Sequence, residues 1–307
     1  MSYRLNIEES VEAGCKRIAH EQLDKTLDEL KNDELDRHKT VHQVRKRCKK
    51  LRGLLRLIRL SLDDSVYKSE NAWYRDAARS LSYVRDAHSL VETNEDLLKH
   101  FKDQLQTESF RSIKKQLVDR RVRVTDEEVG LAEELENFSQ KMVEAKKRVD
   151  SWKIEGKGFD AMNSGLEKSY ARARDAMEAA YKEPSAENFH EWRKRTKYHW
   201  YHLRLLRRIW SPVMRVRLNA AKELSDFLGD DHDLAVLRET ITKEPDDYGS
   251  KRDIQAFVAL LDRRREQLQI WAKPLGQRLF CETSKEHSQR LRSYWNAWQL
   301  ESSQISF

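Results

Sequence analysis

The sequence predicts an all-α protein, and three observations carry that reading. Apolar residues recur at three- and four-residue spacing through nearly every long segment, strict alternation over a strand length is absent, and only nine Gly and four Pro punctuate 307 residues. Charged residues make up 36% of the chain, a polarity that also suits disorder, but eight Trp, ten Tyr and nine Phe supply the large apolar faces that disordered chains lack. The length accommodates two ordinary domains or one large one.

The period predicts helices over residues 6–31, 33–61, 68–84, 86–106, 108–121 and 126–153, and then over 163–182, 186–210, 213–228, 231–243, 250–273 and 284–300. Thr125 with Glu128, and Thr283 with Glu286, have the spacing of a capping box, in which each residue satisfies the other's free amide. Pro184, Pro212, Pro245 and Pro274 all follow residue 160 and mark breaks between helices or near their ends, whereas the first half turns on polar residues. "KIEGKGFDAMNSG", with Gly156, Gly158 and Gly165, interrupts the pattern and divides the chain into halves, 1–153 and 154–307.

The halves match each other. His42, Arg45, Lys46, Arg47 and Lys49 reappear as His190, Arg193, Lys194, Arg195 and Lys197, and Arg56 recurs as Arg204, all at an offset of 148 residues. A second pair follows each strip in the same order, Asp86-x-His88-x-Leu90 and Asp230-x-His232-x-Leu234. This predicts an internal duplication. A helix-start or salt-bridge role is the economical reading of Asp86 and Asp230.

At about 100° per residue, Arg45, Lys46, Lys49 and Arg56 fall within about 60° of His42. Val44, Leu51, Leu54, Leu55 and Ile58 gather opposite. In the second copy Trp192, Leu203 and Leu206 mark the packing side. A charged face is most often simply solvated, yet such faces interleave both signs, and no acid occurs from Arg45 to Arg59 or from Arg193 to Arg208. Cations one helical turn apart repel one another and suit a polymer of closely repeating negative charge, whose condensed counterions are released on binding. Arg offers forked hydrogen bonds to phosphate, Lys a mobile charge, and His a contact that strengthens as pH falls.

Other classes fit less well. Cys15, Cys48 and Cys281 form no CxxC pair, which excludes a disulfide framework or cysteine zinc site and predicts a reducing, cytoplasmic setting. No apolar window reaches the length of a membrane span, so no membrane association is expected. Tyr198, Trp200 and Tyr201 could stack unpaired bases, making single-stranded nucleic acid the alternative ligand, but the first strip has no aromatic on its cationic face. A helical metal-dependent phosphohydrolase would use His232-Asp233 with His202 and Asp262, yet Ser89 replaces Asp233 in the first copy. His38 and His42, four residues apart, are too few ligands for a metal site. His199 reads as a core histidine, and "KKQLVDRRVRV" as a solvated surface.

The two H-x-x-R-K-x-x-K helices, "HEWRKRTKYHWYHLRLL" especially, the D-x-H-x-L stretches and the "LGQRLF…RLRSYW" ending together resemble the CHAD domains, the conserved histidine α-helical domains. The resemblance covers essentially the whole chain. It implies two pseudo-symmetric four-helix bundles forming one such domain, basic helices lining a central pore or groove, and binding of inorganic polyphosphate there. It implies no catalysis and no cofactor, and allows association with polyphosphate granules or polyphosphate-metabolising enzymes. His42, Arg45, Lys46, Lys49, Arg56, His190, Arg193, Lys194, Lys197 and Arg204 resemble the pore-lining set. Arg52, Tyr170, Arg174, Tyr201 and Arg278 sit in family-like segments without support from the duplication. Lys50 and Gly53 give way to Tyr198 and Tyr201 in the second copy, so the two walls need not be equivalent.

Overall fold

Residues 3–32, 34–104, 110–126 and 128–304 are described by the computed structural model, and every regular element among them is helical. The helices are α1 (Val11–Lys31), α2 (Arg37–Leu57), α3 (Asp64–Ser80), α4 (Ser82–His100), α5 (Arg111–Asp126), α6 (Glu128–Asp150), α7 (Asp160–Lys182), α8 (Ala186–Leu205), α9 (Ser211–Lys243), α10 (Lys251–Leu279) and α11 (Ser284–Gln304). None of the described helices is long and apolar enough to cross a membrane.

Local chemistry sets many of the starts. Ser10, Asp36, Asp63, Ser185 and Ser250 each accept a hydrogen bond from the first-turn amides of α1, α2, α3, α8 and α10, a contact worth about 1 kcal/mol. Thr283 and Glu286 form the expected capping box at α11, the Thr283 amide donating to Glu286 Oε2 at 2.8 Å and the Glu286 amide to Thr283 Oγ1 at 3.2 Å. The side chains of Thr125 and Glu128 lie outside the described residues.

Two expected breaks are absent. α9 runs unbroken through 229–230, so Asp230 is a mid-helix residue and starts nothing. Asp86 likewise lies inside α4, and neither carboxylate forms an ion pair among the described residues. Gly229 costs the helix about 1 kcal/mol, and the buried Leu224, Leu228, Leu234 and Leu237 outweigh it. Pro274 lies inside α10; the carbonyl of Ile270 loses its helical donor there, and Ile270 is exposed, so solvent can replace it.

The apolar faces converge on two clusters. The larger draws on α1, α2, α3, α6, α7, α8, α11, the first parts of α4 and α9 and the end of α10, with Ile18, Cys48, Tyr74, Met142, Tyr170 and Trp192 fully enclosed. The smaller joins α4, α5, α9 and α10 through Leu97, Phe110, Ile113, Leu237, Phe257 and Leu261. Both take residues from each side of the 153/154 boundary, so packing does not separate the halves there. The glycine connection is tied down: Gly156 and Gly158 take positive φ, and the Glu155 amide donates to the Ser61 carbonyl at 2.7 Å. α1 packs on α2 and α6, α3 on α2 and α6, α7 on α8 and α11. Between these groups α2 meets α8 and α4, and α9 meets α8 and α4. These four helices surround the site.

Candidate functional site

α2 and α8 touch through the faces that carry their cations. A Cβ on Gly53 would stand 3.0 Å from Tyr201 Cβ, and the buried His202 hydrogen-bonds through Nε2 to the Gly53 carbonyl at 3.0 Å. Gly53 and Tyr201 are the same position under the 148-residue offset. Glycine permits the close approach.

The two strips act on each other. Lys49 is exposed yet hemmed in by protein, and burial pushes its ammonium down to about 7, with Arg193, Arg45 and Lys197 adding repulsion. Burial likewise lowers Lys197 to about 8, Arg193 repelling it next and Lys46 contributing. Lys46 is lowered by burial, then by Arg47 and Arg204. Lys50 is sealed beneath the strip and falls to about 7 through burial, Arg47 and Arg204. His42, Lys46, Lys49 and Arg193 make no hydrogen bond or ion pair among the described residues. Cations that are enclosed, crowded and unpaired carry a mutual repulsion that an anion would relieve.

The histidines line the same space. His190 of α8 lies against His232 of α9, ring centroids 3.8 Å apart. His190 falls to about 4 through burial, Arg193 and Lys194, and His232 to about 3 through burial, His190 and Arg193. In the first copy it is His38, one turn before His42, that stacks on His88, at 5.1 Å. His42 falls to about 4 through burial, Arg85, Lys46 and Lys49.

α4 and α9 supply what the sequence reading missed. Arg85 repels His42, while Asp86 and Asp233 partly offset the charge of Arg45, Lys49 and Arg193. Burial nevertheless raises both carboxyls. Arg85 and Asp233 also line an adjoining open cavity of about 840 Å³, with Glu92, Asp96, Asp230 and Arg264. None of the ten residues that resemble the pore-lining set lines that cavity. Asp230 keeps solvent access at its wall, and desolvation with Asp233 and Asp226 pushes it up to about 6. Nothing in the duplication could have flagged Arg85, whose counterpart is Gly229.

The remaining expected residues divide. Arg45 donates through Nη1 to the Ala78 carbonyl at 2.6 Å, at the C-terminal end of α3, where a cation complements the helix dipole. Arg56 donates to Tyr67 Oη at 2.8 Å and lies 4.2 Å above the Tyr198 ring, so the tertiary fold brings an aromatic to the first strip after all. Lys197 and Arg204 lie 4.3 and 4.8 Å from the Trp200 ring. Lys194 and Arg195 both pair with Glu191. Arg52 donates to Asn71 Oδ1 at 3.3 Å, and Arg174 reaches Glu178 at 3.7 Å.

Tyr170 and Tyr201 do not reach the strip surface: Tyr170 is enclosed, donates to the Leu279 carbonyl at 3.0 Å and stacks on His287, and Tyr201 is buried against Gly53. Arg278 is exposed in the last turn of α10. His199 is a core residue among Tyr170, Phe280 and His287. Asp262 is bound to Arg238 at 2.8 Å and His202 to Gly53, so the phosphohydrolase set does not assemble. Among the described residues no three His, Cys, Asp or Glu side chains are grouped to hold a metal.

Comparison with known proteins agrees with this architecture. The crystal structure of the CHAD domain from the plant Ricinus communis superposes with a TM-score of 0.59 at 15% identity, covering 97% of this chain and 95% of that one, a likeness of fold. No curated protein matches the sequence significantly. The family model of the CHAD domain matches residues 17–242, which takes in both basic helices, α4 and nearly all of α9. The chain belongs to the CHAD domain family.

Proposed function

We propose that this protein binds inorganic polyphosphate in the cleft between α2 and α8, and acts by binding, without catalysis. The reading rests on one observation: unpaired Lys46 and Lys49 of α2 crowd against Arg193, Lys197 and Arg204 of α8. A chain of phosphates laid between these walls replaces repulsion with attraction and releases its counterions. The bases of a nucleic acid have less to gain, because the Tyr198 and Trp200 rings already carry Arg56, Lys197 and Arg204. A presence at polyphosphate granules, or beside enzymes that make or degrade the polymer, follows from such binding.

Competition between polyphosphate of defined length and single-stranded RNA, at two salt concentrations, tests the proposal. Polyphosphate is expected to displace the RNA at both. RNA that binds as tightly as polyphosphate of equal charge would overturn it.

A further inference from the structure

The strip lysines are chemically unlike. Lys49 is exposed and has no hydrogen bond or ion pair among the described residues. Lys50, its neighbour, is buried, donates to Gln22 Oε1 at 3.2 Å and lies 5.7 Å from the Tyr3 ring. Lys194 is exposed but paired with Glu191, and Lys197 rests on Trp200 at 4.3 Å. Lys46 is only half exposed, with Glu29 nearby. Lys49 alone among them combines a solvent-exposed side chain with an unpaired amine, and Arg45, Arg193 and Lys197 add positive charge around it.

We propose that Lys49 is an acylation site, its ε-amine taking the acyl group from acyl phosphates that the surrounding cations hold by their phosphate. Two properties of the cleft meet in one reagent. An acyl phosphate is an anion, so a cationic enclosure concentrates it. Its carbonyl carbon is electrophilic, so it reacts with an amine that is neutral. Enclosure by protein, with the same cations adding repulsion, strips the proton from Lys49: its ammonium is pushed down to about 7, against about 10.4 for an ordinary lysine. Asp86 and Asp233 oppose that shift, and His42, His190 and His232 face the same space in neutral form at that pH.

In the reaction the Lys49 nitrogen lone pair attacks the acyl carbon, and the bond from that carbon to the bridging oxygen breaks. Orthophosphate leaves with the electron pair, and the nitrogen gives its extra proton to water or to the departing phosphate. No oxidant or reductant is needed. The product amide carries no charge, so acylation removes one cation from the α2 wall. Recruitment of the reagent rests on the anion-binding reading of the cleft, whereas the reactivity of the amine does not.

The test incubates the full-length protein with acetyl phosphate at pH 7.5 and low salt, and follows acetyl occupancy of each lysine by peptide mass spectrometry. Lys49 is expected to react about tenfold faster than Lys194 or more. Lys50, equally shifted but sealed, should stay unmodified while the protein is folded, and inorganic triphosphate should suppress labelling of Lys49 but not of Lys194. Equal rates at Lys49 and Lys194 overturn the proposal. A parallel arm with the uncharged N-hydroxysuccinimidyl acetate, beside a direct polyphosphate titration, locates the fault. A fast Lys49 with the ester but not with acetyl phosphate overturns the acyl-phosphate assignment. Polyphosphate binding measured on the same protein shows whether the anion-binding reading falls with it.

Discussion

The wall built on α2 and the wall built on α8 carry the same residues at six matched positions but keep different company. On α8, Lys194 and Arg195 share Glu191, and Lys197 and Arg204 sit on Trp200. On α2, Lys46 and Lys49 have no partner, and Arg45 is committed to the end of α3. The facing helices differ as well, since Arg85 and Ser89 of α4 correspond to Gly229 and Asp233 of α9. Equal charge patterns therefore give unequal walls: α8 is partly neutralised and padded by aromatics, whereas α2 is the more frustrated and the more tightly tied to the fold.

Charge reversal separates the walls most strongly. Arg193→Glu with Lys197→Glu is expected to weaken polyphosphate binding by about three orders of magnitude without loss of helical circular dichroism. Arg45→Glu with Lys49→Glu should weaken it comparably and also lower Tm, because the Ala78 carbonyl loses its donor. Unchanged affinity in both variants refutes the paired-wall reading.

Salt comes next. Raising it from about 50 to about 200 mM should cost the wild type on the order of a thousandfold in affinity, and each doubly reversed variant should show a salt slope shallower by about two.

Asp233→Ser gives α9 the residue of α4 and removes a carboxylate beside Arg193, so affinity should rise several-fold, roughly the weight of one contact. Ser89→Asp should lower it by a similar factor. Titration of both variants checks whether the facing helices cause the asymmetry.

The pH dependence is smaller. His42 and His190 titrate near 4 and His232 near 3 in the fold, below the ordinary value near 6.5, so the unfolded chain binds more protons across that interval. Their contribution to stability is complete above pH 6.5 and is lost as pH falls towards 3. Polyphosphate raises these values by pairing, so the ligand-induced rise in Tm should grow over the same window. Thermal melts with and without polyphosphate, repeated on His190→Asn with His232→Asn, measure the share of this histidine pair of α8 and α9.

Smallest is Gly53→Ala. Its Cβ would press on Tyr201 at 3.0 Å, at a cost of about 1 kcal/mol. A Tm lower by about 2–4 °C is expected. An unchanged Tm would mean that the contact between the walls yields easily.

How far the site was legible depended on the range of the interactions. The strips were readable because helical period places Lys46 and Lys49 on one side of α2 and Val44 and Leu51 on the other. Capping of α11 by Thr283 and Glu286 was readable because it is closed within four residues. The continuity of α9 through Gly229, and of α10 through Pro274, was not, since burial elsewhere along each helix overrides the local cost. Tyr170 and Tyr201 were assigned to the cleft by their neighbours in sequence, and the fold enclosed both.

By itself the sequence determined the helical class, the cationic face of α2 and its copy on α8, and the absence of acids along them, all consequences of local spacing. Only the tertiary structure decided that the two faces meet at Gly53 and Tyr201, that Lys50 is sealed while Lys49 is open, and that Arg85 and Asp233 join them. The reason is physical. A helix fixes the direction of its own side chains, but the desolvation and repulsion that make a cation reactive or hungry for an anion come from atoms far along the chain.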